Sequence, residues 1–226
     1  MPRDTLDRQI NNIKDEVLIL GNMIEQATLL SVDTLKNRDI RAAHELIEDD
    51  QLINDKRFAI ENAVLILIAT QQPIAHDLRI LTAILEVSTE LERMGDYAKG
   101  ICKITIKMGE SDIPIPIRDL VKMAELAVTM LHKGLSAFVN ENLHLAQSIP
   151  LEDDNVDALY HKVYRHVVEV ITANPATFDE AHLLLWVAHN LERLADRVTN
   201  ICERTVFIAT GEMMEMDSTD DEDQED

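Results

Sequence analysis

Glycine and proline are scarce, six of each in 226 residues, and aromatic residues make up only 4%. Sandwiches and barrels need frequent turn residues and many β-branched or aromatic strand formers, so this poverty excludes them and points to an all-α chain. Long apolar runs are missing too. The longest, AVLILIA at 63–69, falls far short of the ~20 residues that a membrane-spanning helix requires. The N-terminal MPRDTLDRQINN has no apolar signal core and no Arg/Ser-rich transit character, so a cytoplasmic protein is expected. Bases are few: 21 Lys and Arg face 42 acids, for a net charge of −21. Nucleic acid is therefore not expected as a direct partner, because neutralising phosphates takes clustered Lys and Arg. The chain also lacks a Gly-rich phosphate loop, a nucleophile elbow and Cys/His zinc spacing.

What is present is 46% hydrophobic residues, enough for a core, and a phrase written twice. LERMGDYAKGIC at 91–102 returns as LERLADRVTNIC at 191–202, with Leu, Glu, Arg, Asp, Ile and Cys at the same spacing. The echo extends along the chain. Ile13, Asp15 and Val17 correspond to Ile117, Asp119 and Val121; Asp50, Ile53 and Asn54 to Asp153, Val156 and Asp157; Pro73 and Asp77 to Pro175 and Asp179. The chain thus reads as an internal duplication. Its two cysteines, Cys102 and Cys202, fall at equivalent places and read as small buried apolar residues rather than a disulfide.

Each copy holds three helical patterns: 4–36, 39–71 and 75–108, then 117–139, 142–173 and 177–210. Asp39 suits an N-cap, Pro73 and Pro175 break the chain, and Gly211 closes the last helix. The expected architecture is two tandem three-helix bundles, residues 1–110 and 111–211, with one continuous six-helix bundle as the alternative. Residues 212–226 carry nine acids and no base and read as a disordered acidic extension. Without them 33 acids face 21 bases, leaving a body charge of −12.

The chemistry-bearing residues are paired carboxylates. Glu92 with Asp96, Glu192 with Asp196, and Asp153 with Asp157 are spaced i, i+4, about 40° apart on a helix, so each pair shares a face. In the first copy Asp50 is followed by Asn54, which keeps one carboxylate and one amide. A single such pair is ordinary solvated surface; recurrence at duplicated positions is what singles these out. Where acidic faces pack together they need cations, because burying a bare carboxylate costs several kcal/mol. All-oxygen clusters suit hard cations, iron, manganese or zinc. His189 stands where the first copy has Thr89 and reads as incidental. A di-iron oxidase is disfavoured: it would need paired Glu-x-x-His motifs, and only Glu141–His144, near a turn, fits. Lys99, Lys103 and Lys107 read as a solvated basic stripe.

QQPIAHDLRILTAIL (71–85), ELERMGDYAKGI (90–101) and NPATFDEAHLLLWVAHNLERLADRVTNICE (174–203) resemble the PhoU family of bacterial phosphate-signalling regulators. The resemblance spans residues 5–211 and leaves the acidic tail outside. It implies two three-helix bundles, no enzymatic activity, and a homodimer. It also implies two partners, the ATPase of the phosphate ABC transporter and a phosphate-sensing histidine kinase, with membrane association only through them. Some members hold multinuclear iron or zinc. Carried over, the ligand positions are Glu92, Asp96, Glu192 and Asp196, with Asp50, Asp153 and Asp157 from neighbouring helices. Asn54, where a second carboxylate would strengthen the first site, and Ala195, where Gly is usual, depart from the family pattern.

Overall fold

The computed structural model describes residues 2–109, 111 and 113–216. The first repeat is three long helices, α1 (Pro2–Asn37), α2 (Ile40–Gln71) and α3 (His76–Met108). Asp39 caps α2 as expected, its carboxylate accepting from the Ala42 N–H at 2.9 Å. After Gln72, which takes a left-handed conformation, Pro73 interrupts the chain before α3. Gly109 at positive φ ends α3, and Pro114 and Pro116 precede the first helix of the second repeat.

The second repeat begins with α4 (Ile117–Val139) and ends with α7 (Phe178–Thr210), closed by Gly211 at φ 82°. Its middle helix is not the continuous 142–173 segment expected from the pattern. It is a short α5 (Leu143–Ser148), a 3-10 turn (Pro150–Glu152) and α6 (Asp154–Ala173). Pro150 is the cause, since it has no N–H to donate and its ring clashes with the preceding turn. Asp153 consequently sits at the head of α6 rather than inside a helix.

Both repeats share one hydrophobic core. The helices carrying the twin phrases, α3 and α7, lie antiparallel at its centre, and α1 packs on α4 beside them. The direction is fixed by the cross-pairs: Glu90 meets Asn200, Gly100 meets Asn190, and Glu86 meets Arg204. Leu91, Met94, Ile101, Leu191, Leu194 and Ile201 are completely buried. Arg197 bonds both Tyr97 and Glu90 across this seam, and Arg79 donates to the Ile208 carbonyl at 3.3 Å. Near the same end Lys14 of α1, itself buried, holds the Val139 carbonyl at the end of α4 and Glu141 just beyond. The two three-helix bundles are thus distinct in chain order and fused in packing.

Cys102 and Cys202 are free and buried, one in each repeat. Burial pushes the Cys102 thiol up to about 11, and burial with the Glu203 charge pushes Cys202 up to about 12. Neither is a nucleophile at neutral pH. Of the acidic extension, residues 217–226 lie outside the described residues. Residues 212–216 turn back along α7: the Met216 N–H donates to Glu203 Oε1 at 2.8 Å, and its side chain rests on the core.

The closeness of the two repeats depends on glycine, most tightly at one point. A Cβ on Gly21 of α1 would stand 2.1 Å from Leu135 Cδ1 of α4. Gly21→Val is expected to lower unfolding free energy by about 1–3 kcal/mol, read from urea denaturation, because a packed core resists added volume.

Candidate functional site

With α3 and α7 back to back, the Glu and Asp of each twin phrase turn away from the seam, toward the middle helix of their own repeat, while Glu86 and Glu90 bond across it. The first repeat brings Asp50 of α2 together with Glu92 and Asp96 of α3. Asp50 is buried, 5% exposed. Its Oδ2 accepts from Lys99 Nζ at 2.6 Å and from Asn54 Nδ2 at 3.1 Å. Burial raises the Glu92 pKa, and the charges of Asp96 and Asp50 add to it against the pull of Arg57 and Arg93. The bond to Asp50 likewise raises the Lys99 pKa. Lys99 is therefore a structural counter-ion and not the solvated residue expected, while Lys103 and Lys107 are exposed as expected.

The second repeat brings Asp153 together with Asp196 but arranges its other acids differently. Asp153, Asp196, Thr199, Asn200, Glu203, Glu215 and Met216 line a cavity of about 310 Å³. Asp153 is 1% exposed. Burial raises the Asp196 pKa; Arg193, Arg197 and His189 act in the opposite sense. Thr199 is buried, and its Oγ1 has no hydrogen-bond partner. Glu192 stands apart from the cavity lining, with His189 Nδ1 3.2 Å from its Oε2. Asp157 is half-buried one turn into α6. His189 is thus a neighbour of the acidic face. Burial lowers its pKa, which keeps the ring neutral at pH 7.

Among the described residues, no three His, Cys, Asp or Glu side chains converge tightly enough to hold a metal ion directly. The donor sets nevertheless differ in kind. In the first repeat a lysine occupies the buried carboxylate, and a metal there would have to displace it. In the second, the cavity is lined by carboxylates, a hydroxyl and an amide with no base among them, which fits a hard cation with some of its water retained. Glu141, the only Glu of a Glu-x-x-His run, is bound instead by Lys14 and His76. The residues missed in the sequence are Lys99, Thr199, Glu203 and Glu215. The signal lay in the departures between copies: Lys99 against Thr199 and Lys103 against Glu203, both at the spacing of the twin phrases.

The comparisons with known proteins agree with this two-copy layout. The PhoU domain family matches residues 17–105 and, a second time, 120–205. The chain is 32% identical over 218 residues to the phosphate-specific transport system accessory protein PhoU homolog of Clostridium acetobutylicum, covering 96% of this chain and 99% of that protein. It is 31% identical over 205 residues to the phosphate-specific transport system accessory protein PhoU of Escherichia coli K12, covering 90% and 85%. Among solved structures, the phosphate transport system regulatory protein PhoU from Streptococcus pneumoniae superposes with a TM-score of 0.85 at 28% identity, covering 93% of this chain and all of that one. PhoU from Pseudomonas aeruginosa gives 0.84 at 25% identity, covering 91% and 99%.

The raised carboxyl groups make a testable statement about stability. A carboxyl whose folded pKa is raised holds its proton more tightly folded than unfolded, so its contribution is favourable at low pH and is lost as pH rises through the folded value. In metal-free protein, Glu92→Gln combined with Asp196→Asn should melt higher than the parent at pH 8, and the gap should shrink as pH falls toward the carboxylate range. Lys99→Met should do the opposite, costing about 1–3 kcal/mol at pH 7 by leaving buried Asp50 without its charge partner. Thermal melts across pH check both.

Proposed function

The chain belongs to the PhoU family, and from that premise we propose that it is a non-catalytic regulator of phosphate uptake and of the phosphate-starvation response. It restrains the high-affinity phosphate transporter by binding that transporter's ATPase, and it damps the response by binding a phosphate-sensing histidine kinase. The observation that carries the reading is the family match to both repeats, together with relatives named as accessory proteins of phosphate-specific transport. Among the described residues no helix is long and apolar enough to cross a membrane, which suits a protein that reaches the membrane through its partners.

The surface supports an adaptor. Leu52, Phe58, Leu65 and Ile66 on α2 are more than half exposed, and Tyr164, Phe178 and Trp186 on α6 and α7 are about half exposed. Apolar surface of this extent is what a partner or a second copy covers, and a homodimer is part of the proposal. The carboxylates Glu92, Asp96, Asp50, Glu192, Asp196, Asp153 and Asp157 are the proposed ligand positions for iron or zinc, and the second repeat is the better supplied because Lys99 already pairs Asp50 in the first. A bound cation there would neutralise the acidic face and draw α6 toward α7.

Two measurements test this reading. Affinity capture with the full chain as bait should recover the transporter ATPase and the sensor kinase. Deleting its gene should raise phosphate-starvation expression in phosphate-replete cells. Recovery of neither protein together with unchanged expression would contradict it. Sedimentation at micromolar concentration should return twice the chain mass, and a monomer would remove the homodimer from the proposal.

A further inference from the structure

Aromatic side chains are scarce in this chain, yet the second repeat sets a run of rings on its surface. Phe178, His182, Trp186 and His189 follow one another along α7, a turn apart. The Phe178 and His182 rings stack, with centroids 5.8 Å apart and planes 6° from parallel. Trp186 stands edge-on to His182 and to His189, and its Nε1–H donates to His182 Nε2 at 3.0 Å. From α6, Tyr160 joins His182, Leu185, Trp186 and His189 in lining a cavity of about 270 Å³. Tyr164, one turn further along α6, is about half exposed, as are Phe178 and Trp186.

The fold does not require these rings. At the spacing of the twin phrases, His182, Trp186 and His189 stand where the first repeat has Thr82, Glu86 and Thr89. A half-exposed tryptophan held by its own hydrogen bond has little side-chain freedom left to lose, which is the property of an interface anchor. The lining also carries a sign. Trp and Tyr offer the negative faces of their rings, and no lysine or arginine lines the cavity. Glu192 lies beside it, with Oε2 3.2 Å from His189 Nδ1. Burial, and then the Glu192 charge, raise the Tyr160 pKa. Of the neighbouring bases, Arg193 is turned to Asp196 at 3.8 Å, and Lys162 is bonded to Asp119. With a net charge of −21 on the chain, a partner is drawn here by positive charge.

We propose that this cavity receives an arginine side chain of a partner protein, its guanidinium laid against Trp186 and Tyr160 and directed toward Glu192. Arginine suits the place better than lysine, because its planar fork stacks on rings and offers a carboxylate two N–H donors at once. The exposed rings of Tyr164 and Phe178 extend the surface beyond one side chain, so the ligand is a protein segment and not free arginine. The site shares no lining residue with the acidic cavity of the second repeat and uses no metal ion. The inference deepens the adaptor reading above, on which it rests for the partner, the transporter ATPase.

Trp186 is the single tryptophan of the chain, so full chain grown with fluorotryptophan carries one fluorine resonance, at the site itself. Acetyl-arginine amide at millimolar concentration should shift that resonance saturably. Acetyl-citrulline amide, the same shape without the charge, should not. Purified transporter ATPase should shift or broaden the resonance as well. Tyr160→Ala and Trp186→Ala should each weaken ATPase binding, followed by calorimetry, by about tenfold or more. Trp186→Phe, which keeps a ring, should cost less, and Phe58→Ala on α2 should cost nothing; helical circular dichroism confirms that each variant is folded. An equal response to both amides, or none to acetyl-arginine amide, would overturn the proposal. So would ATPase binding that survives Trp186→Ala, or a resonance that moves with chain concentration alone, which would give the face to a second copy. A chain that responds to acetyl-arginine amide as stated yet binds no ATPase overturns the ATPase reading alone. A chain that binds ATPase with the Trp186 resonance undisturbed overturns the arginine site alone.

Discussion

The packing of α3 against α7 is the constraint on which the rest of the structure depends. Two long helices of related sequence lie antiparallel at the centre, and each must satisfy its own repeat and the other one at once. Leu91 and Leu191, Ile101 and Ile201, and Cys102 and Cys202 are therefore buried in both copies. Little of either helix is left for water. The Glu and Asp of each twin phrase can only turn toward the neighbouring middle helix, α2 or α6. Burial then does to these carboxyls what it does to any charge in a less polar setting, raising the proton affinity of Glu92 and Asp196.

Much of this was legible in the sequence because it depends on local spacing. The all-helical type, the cap at Asp39, the breaks at Pro73 and Pro175 and the close at Gly211 all follow from single residues with strong backbone preferences. The split of the second copy's middle helix is equally local, set by Pro150, a residue with no counterpart in the continuous α2 of the first copy. The merging of the two bundles into one core is legible only as the alternative, one continuous bundle, and the sequence does not decide it. It depends on contacts such as Gly21 against Leu135 and Gly100 against Asn190, between residues far apart in the chain.

The candidate site divides the same way. Recurrence picked out the carboxylates, and the structure brings Asp50 to Glu92 and Asp96, and Asp153 to Asp196. What recurrence could not reveal was the difference between the copies, because attention to matched residues passes over unmatched ones. Lys99, read as solvated, is bound to Asp50 because α2 lies against α3. Of the acidic extension, Met216 is held, its N–H bound to Glu203. The duplicated scaffold thus preserves packing while its two acidic faces differ, one closed by its own lysine and one a cavity lined by carboxylates with no base among them.

The most direct test of that asymmetry is anomalous X-ray scattering from crystals of the full chain grown with Mn2+. The proposed function predicts a manganese peak beside Asp153 and Asp196, stronger than any beside Asp50 and Lys99. A peak at Asp50 with Lys99 swung away, or peaks of equal height in both repeats, would contradict it.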